Sequence, residues 1–243
     1  MNIISTNVLT NDQLNEIREL VEGATFLESD MNEYLDFPCF HLLYEDKSLS
    51  SFLSVFIPNE DECEIYAYTS PECRQKGYFK KLYKIAKMHI NEYKIKKILI
   101  VTEPQYNPCE SALKSINAQY ETSDYMLKYD IYHHPIPKDL LSIKSSKKSH
   151  TEIFETFLDK EKVGCCKVDH THGSSTIYDF EVEKNQRGKG FGSESLLLIL
   201  KKLMDSGCEN ILLHINGDNK IALSMYLNYG FRSIKQIDYW KVI

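Results

Sequence analysis

Apolar positions along this chain switch between two periods, and the switches mark its elements. Leu14, Ile17, Leu20 and Val21 recur at helical spacing. Thr10 and Gln13 form an S/T-x-x-E/Q capping box before them, and Gly23 predicts the stop. Residues 64–68 and 98–101 read as strands flanking a helix whose stripe is Phe79, Leu82, Tyr83, Ala86, Ile90 and Tyr93. The same order then returns. Residues 162–168 and 176–182 predict strands. Leu196, Leu197, Leu200, Leu203 and Met204 predict a helix stopped by Gly207, and residues 211–215 and 237–242 predict two more strands. Residues 133–150 contain Pro135, Pro137 and a Ser-Ser-Lys-Lys run, which predicts a linker.

The two halves also share a loop. Cys73-Arg74-Gln75-Lys76-Gly77-Tyr78-Phe79 is echoed 113 residues later by Gln186-Arg187-Gly188-Lys189-Gly190-Phe191-Gly192. Each follows a strand and opens a helix. After the next strand, each half has an asparagine (Asn107, Asn219) and a further short helix. Duplication accounts for this most economically: two α/β units, each strand–loop–helix–strand–helix–strand, divided as 1–131 and 132–243. The second unit shows no counterpart of the opening helix.

Composition removes several classes. With 42% hydrophobic and 12% aromatic residues there is enough apolar bulk for a core, so disorder is excluded as the main state. No apolar run approaches the roughly 20 residues of a membrane span, and the N-terminus shows no secretory signal. Seven scattered cysteines without a CxxC pair predict a reducing, cytoplasmic setting and argue against a disulfide framework or a structural zinc site. A net charge of −6 disfavours nucleic acid as a partner. The charge is uneven: residues 1–66 hold fourteen acidic against two basic residues, whereas 131–243 hold sixteen basic against fourteen acidic. An acidic half of this kind either presents a solvated face or draws in a cationic substrate.

The segment Arg187-Gly188-Lys189-Gly190-Phe191-Gly192-Ser193 carries the chemistry. Glycines after a strand and before a helix let the backbone take positive φ, and the first N–H groups of the helix then point outward at its positive end. That arrangement binds phosphate. The spacing is not that of a Walker loop. It also differs from the G-x-G-x-x-G of dinucleotide folds, which disfavours a nucleotide-binding oxidoreductase.

Arg187-x-x-Gly190-x-Gly192 instead resembles the Q/R-x-x-G-x-G/A loop of the GNAT N-acetyltransferase superfamily. Asn219, Ala222, Tyr226, Gly230 and Phe231 match that superfamily's later N-x-x-A-x-x-x-Y-x-x-x-G-F helix pattern. The resemblance is strong over 160–243 and weaker over 1–130. It implies a mixed α+β, tandem GNAT protein, each unit a mostly antiparallel sheet flanked by helices. It also implies acetyl-CoA as co-substrate and no metal. By resemblance, the backbone of Gly188, Lys189, Gly190, Phe191, Gly192 and Ser193 holds the pyrophosphate, with Arg187 alongside. Phe180 and Val182 offer strand backbone to the pantetheine, and Asn219 and Tyr226 lie near the thioester.

The implied activity is N-acetyl transfer to a primary amine by direct attack through a tetrahedral intermediate. A backbone N–H near Val182 stabilises the oxyanion, and Tyr226 protonates the departing thiolate. Glu181 or Glu183, which strand alternation places on the face opposite Tyr178, Phe180 and Val182, takes the amine proton directly or through water. A non-catalytic acyl-CoA-binding or regulatory protein is the alternative. The first unit reads as degenerate, with Phe79 where the second has Gly192, and Lys114 and Glu110 opposite Tyr226 and Ala222. The expected partner is a small-molecule or peptide amine, cationic in character, with no nucleic acid or membrane and with room for a homodimer. His133-His134 and His170-x-His172 lack a Cys or carboxylate partner at ligand spacing and predict surface histidines rather than a metal site. Trp240 predicts packing within the final strand.

Overall fold

The computed structural model describes residues 1–21, 39–104, 109–133, 135–171 and 173–243. Gly23, Asn107, His134 and His172 lie outside them. The chain divides into two compact units, one of Met1–Thr122 with Ile237–Ile243, the other of Ser123–Gln236.

The first unit contains β1 (Asn2–Thr6), α1 (Asn11–Leu20), β2 (Cys39–Glu45), β3 (Ser48–Asn59), β4 (Glu62–Thr69), α2 (Tyr78–Ile90), β5 (Lys97–Thr102) and α3 (Cys109–Ser115). Its sheet runs β1-β2-β3-β4-β5 and is closed by the end of β12 (Phe231–Val242). Only β4 and β5 pair in parallel; β12 joins antiparallel, with Asp238 opposite Thr102 and Lys241 opposite Leu99. The strands read as continuous apolar runs because both faces are covered. Phe40, Leu42, Phe52, Tyr66 and Val101 meet Ile17 and Val21 of the α1 segment. Leu43, Leu53, Ile65 and Ile100, on the other face, meet Leu82, Tyr83, Ala86 and Ile90 of α2. The Thr10–Gln13 capping box forms in both directions. Tyr93 falls beyond α2 and is exposed, so the apolar stripe ends at Ile90.

The second unit contains the end of β6 (Ala118–Tyr129), β7 (Ser142–Lys148), β8 (Thr151–Leu158), β9 (Glu161–Thr171), β10 (Ser174–Val182), α4 (Phe191–Asp205), β11 (Ile211–Asn216) and α5 (Lys220–Asn228). Its sheet runs β6-β11-β10-β9-β8-β7, with β10 and β11 the parallel pair. Leu196, Ile199, Leu200 and Leu203 of α4 form a stripe that meets Phe154, Cys166, Val168, Ile177, Ile211 and Leu213. Truncating Leu200 to Ala would cost about 2–5 kcal/mol at such a site. Part of the expected linker is in fact β7, paired along its length with β8. Its one-sided polar composition hides it: six of its seven residues are exposed and only Ile143 packs on the core.

The unit boundaries differ from the 131/132 division read from the sequence. The chain changes units inside β6, at 122/123, and again inside β12, at 236/237. The reason is strand placement. From Asp124 to Lys128, β6 pairs antiparallel with β11, while β12 pairs with β5, so each unit takes in a strand from the other half of the sequence.

Candidate active site

The second unit opens a gap between its two parallel strands. Their registered pairs run only from Ser175–Ile211 to Ile177–Leu213, although β10 continues to Val182 and β11 to Asn216. On its other edge β10 stays paired with β9 through Val182–Gly164, but the register slips between Tyr178 and Glu181. Asp179 at this bulge has φ 48°. The slip breaks simple alternation. Ile177 and Phe180 both face the core, so Tyr178 leaves the face it was expected to share with Phe180 and Val182; its hydroxyl donates to Asp169 instead. Gly164 permits the bulge, since a Cβ there would stand 2.7 Å from the Glu181 carbonyl oxygen.

Beyond β10 the chain makes one turn of 3-10 helix (Lys184–Gln186) and enters the glycine loop. Gly188 has φ 75° and Gly190 φ 83°, and Gly190 is the N-cap of α4 without a side-chain cap. A Cβ added at either glycine meets nothing within 4 Å, so the loop faces open space and the backbone angle alone demands glycine. The first intrahelical bond runs from Glu194 N to Gly190 O, leaving the N–H groups of Phe191, Gly192 and Ser193 ahead of it as the orphan donors of the helix start. Gly192 turns inward: its Cβ would lie 3.4 Å from Val182 Cγ2 and 3.6 Å from Met225 Sδ.

The predicted residues separate into two groups. Phe180, Val182, Gly192 and Tyr226 gather on one side of β10. Tyr226 is 6% exposed and meets Phe180 edge-on at 6.2 Å and Phe231 at 5.6 Å. Burial pushes its phenol up to about 12, helped by the neighbouring Cys166. Glu181 is exposed and, by alternation after the bulge, points away from that group. Glu183 has left the strand and begins the 3-10 turn, so the two carboxylates do not share a strand face as expected. Asn219 is the N-cap of α5, its Oδ1 accepting from Ala222 N at 3.2 Å.

Two side chains have roles that sequence reasoning missed. The Arg187 Nε donates to the Val182 carbonyl at 2.9 Å, bracing the loop against the strand end rather than only adding charge. Glu194, 3% exposed in the first turn of α4, accepts from the Lys138 and Leu140 backbone N–H groups at 2.8 and 3.3 Å. An acidic residue in a first helical turn was the available signal for it. His170, expected at the surface, is half-buried, with Nδ1 2.9 Å from the Ser175 hydroxyl and Nε2 3.2 Å from Glu152, and the His133 carbonyl accepts from the Tyr129 hydroxyl.

Comparison with known proteins decides the family. The sequence profile described as the Acetyltransferase (GNAT) family matches residues 111–231, about half of the chain. This chain belongs to the GNAT acetyltransferase family. The matched GNAT segment starts in α3 and takes in β6, the strand that closes the second sheet. An N-alpha-acetyltransferase MAK3 of Arabidopsis thaliana is 39% identical over 56 residues, 23% of this chain and 30% of that protein. A mycothiol acetyltransferase of Corynebacterium jeikeium is 34% identical over 58 residues, 24% of this chain and 17% of its own length. The alignments therefore span less than a third of either relative. Among solved structures, a GCN5-related N-acetyltransferase from Sphaerobacter thermophilus superposes with TM-score 0.76 at 11% identity, covering 98% of this chain and 95% of that one. A tandem GNAT protein from the clavulanic acid biosynthesis pathway gives 0.71 at 11% identity, with 99% and 97% covered. At such identity these likenesses speak for the tandem GNAT fold. No helix among the described residues is long and apolar enough to cross a membrane.

Proposed function

We propose that the second unit is an N-acetyltransferase that moves an acetyl group from acetyl-CoA to a primary amine. The observation that carries this reading is the coincidence, inside the matched family segment, of an uncapped helix start at Phe191–Ser193 with the gap beside Phe180–Val182. The loop suits a diphosphate: its N–H groups converge at the positive end of α4, and Gly188 and Gly190 leave the approach clear. Lys189 stands beside it, held by Gln186 at 2.9 Å. The unpaired edge of β10 suits pantetheine amides.

Acetyl-CoA supplies an activated acyl group; the chain supplies position and proton handling. The amine attacks the thioester carbonyl, and a backbone N–H near Val182 steadies the oxygen of the tetrahedral intermediate. Tyr226, kept protonated by burial, donates to the departing sulfur. Glu181 or Glu183, both exposed and off the Tyr226 side of β10, would take the proton of the incoming ammonium through water. Asn219 spends its oxygen on the α5 cap and has its amide nitrogen to offer the coenzyme. The acidic excess in 1–66 supports a cationic acceptor, and seven free thiols support a reducing, cytoplasmic setting.

The test is thiol release from acetyl-CoA across a panel of primary amines, run beside coenzyme binding by calorimetry. Turnover with at least one amine, reduced in Tyr226→Phe at unchanged binding, supports the enzyme. Binding without turnover over the whole panel points to an acyl-CoA-binding protein, and no binding overturns the reading.

A further inference from the structure

Away from the glycine loop, three soft or borderline ligands converge in the first unit. Cys39 and His41 lie two apart on β2, on the face that carries Leu43 toward α2. His89 comes from the last turn of α2. The Cys39 sulfur is 3.4 Å from His41 Nε2 and 3.7 Å from His89 Nδ1. The two imidazoles stack at 5.1 Å, and one ligand atom from each residue falls within 4.8 Å of the others. A tetrahedral zinc with Zn–S near 2.3 Å and Zn–N near 2.0–2.1 Å sets its sulfur and nitrogen ligands roughly 3.6 Å apart. The observed separations bracket that value.

The surroundings also fit. His41 is fully buried, and its Nδ1 lies 2.8 Å from the Ser5 hydroxyl. Ser5 is the direct cross-strand partner of His41 in the β1–β2 pairing. With the Ser5 oxygen accepting the Nδ1 proton, Nε2 keeps its lone pair and aims it at the Cys39 side. This is the outer contact that metal-binding histidines use to fix ring and tautomer. One thiolate and two imidazoles suit a borderline-soft divalent ion better than calcium or magnesium, which take oxygen ligands.

We infer that Cys39, His41 and His89 form a zinc site that ties α2 to β2. On binding, a Zn–S bond forms, the Cys39 proton passes to solvent, and water takes the fourth position. The spacing of the ligands, two residues and then forty-eight, matches no short motif, which is why the sequence predicted no metal.

Cobalt(II) is the probe. Added to the chelator-stripped protein, one equivalent should give a thiolate-to-cobalt charge-transfer band and the intense visible bands of a four-coordinate ion, and zinc should displace it. Cys39→Ser should abolish the charge-transfer band. His89→Gln, at a half-buried helix position, should weaken binding even if Cys39→Ser fails to fold. Ser5→Ala, at an exposed position, should lower zinc affinity about 10–100-fold in chelator competition. Absence of the band in the wild type, or its persistence in Cys39→Ser, would overturn the proposal in favour of a hydrogen-bonded Cys–His cluster. None of these readouts depends on acetyl transfer.

Discussion

The loops at 74–79 and 187–192 follow one backbone path with different space beside it. Gly77 sits at φ 77°, ψ 18° and Gly190 at φ 83°, ψ −1°, each as an N-cap with no side-chain cap. Arg74 and Arg187 each send Nε to the carbonyl five residues earlier, Thr69 at 3.2 Å and Val182 at 2.9 Å. Even the left-handed residue before the lysine is kept, as Gln75 in one loop and Gly188 in the other. The difference lies at Phe79 and Gly192. Gly192 sits where a Cβ would touch Val182 and Met225 at 3.4 and 3.6 Å, whereas Phe79 lays its ring on Tyr83 at 6.0 Å and packs, half-buried, against the core. A loop of this shape can thus keep its backbone geometry while the residue two places beyond its N-cap glycine changes from Gly to Phe, so on the proposed function that position is the better guide to which unit would take the coenzyme.

Exchange of that residue is the strongest way to break the comparison. Gly192→Phe should lower acetyl-CoA affinity by two orders of magnitude or more, measured by calorimetry, while the protein still folds. The reverse change, Phe79→Gly, should raise the binding stoichiometry toward two, at a stability cost of about 1–3 kcal/mol for the half-buried ring. A stoichiometry of two in the unaltered protein would end the reading of the first unit as degenerate.

Tyr226→Phe comes next, with an expected fall in kcat of about 10²–10⁴-fold at unchanged coenzyme affinity. Because burial raises the phenol to about 12, it stays protonated through the neutral range. An alkaline limb of the rate below pH ~10 should therefore survive in Tyr226→Phe.

Smaller effects sharpen the contrast. Arg187→Ala removes a solvent-exposed bond to the Val182 carbonyl, worth about 0–1 kcal/mol there, and should weaken coenzyme binding. Arg74→Ala should leave that affinity unchanged. Alkaline pH probes the two cores separately. Cys63 and Cys166 are each pushed up to about 12 by burial, so both stay protonated when folded and ionise near 8.5 when unfolded. Their raised native pKa makes stability fall as pH rises above about 8.5, by roughly 1.4 kcal/mol per pH unit for each group. Cys166→Ala should flatten that slope in hydrogen exchange of the second unit, and Cys63→Ala in the first.

Much of this was legible in the sequence because period and punctuation agree. The stripes of α2 and α4, the capping box at Thr10 and the paired glycine loops all place themselves. What stayed hidden depends on contacts distant in sequence. The Asp179 bulge is set by Gly164 on the neighbouring strand, and it moved Tyr178 off the expected face. Nothing local to β7 marks it as a strand, since its pairing with β8 supplies the order. The brace from Arg187 looked like charge because a motif names a residue type without saying which of its atoms is engaged.

The traded closing strands carry a last consequence, for how the molecule is made. A nascent chain released at position 131 would hold five strands of the first sheet but not the sixth. That sheet waits for residues 237–242, so the earlier half cannot be finished on the ribosome before the later half has been translated. A chain cut near residue 131 would leave each fragment without one strand that the other supplies.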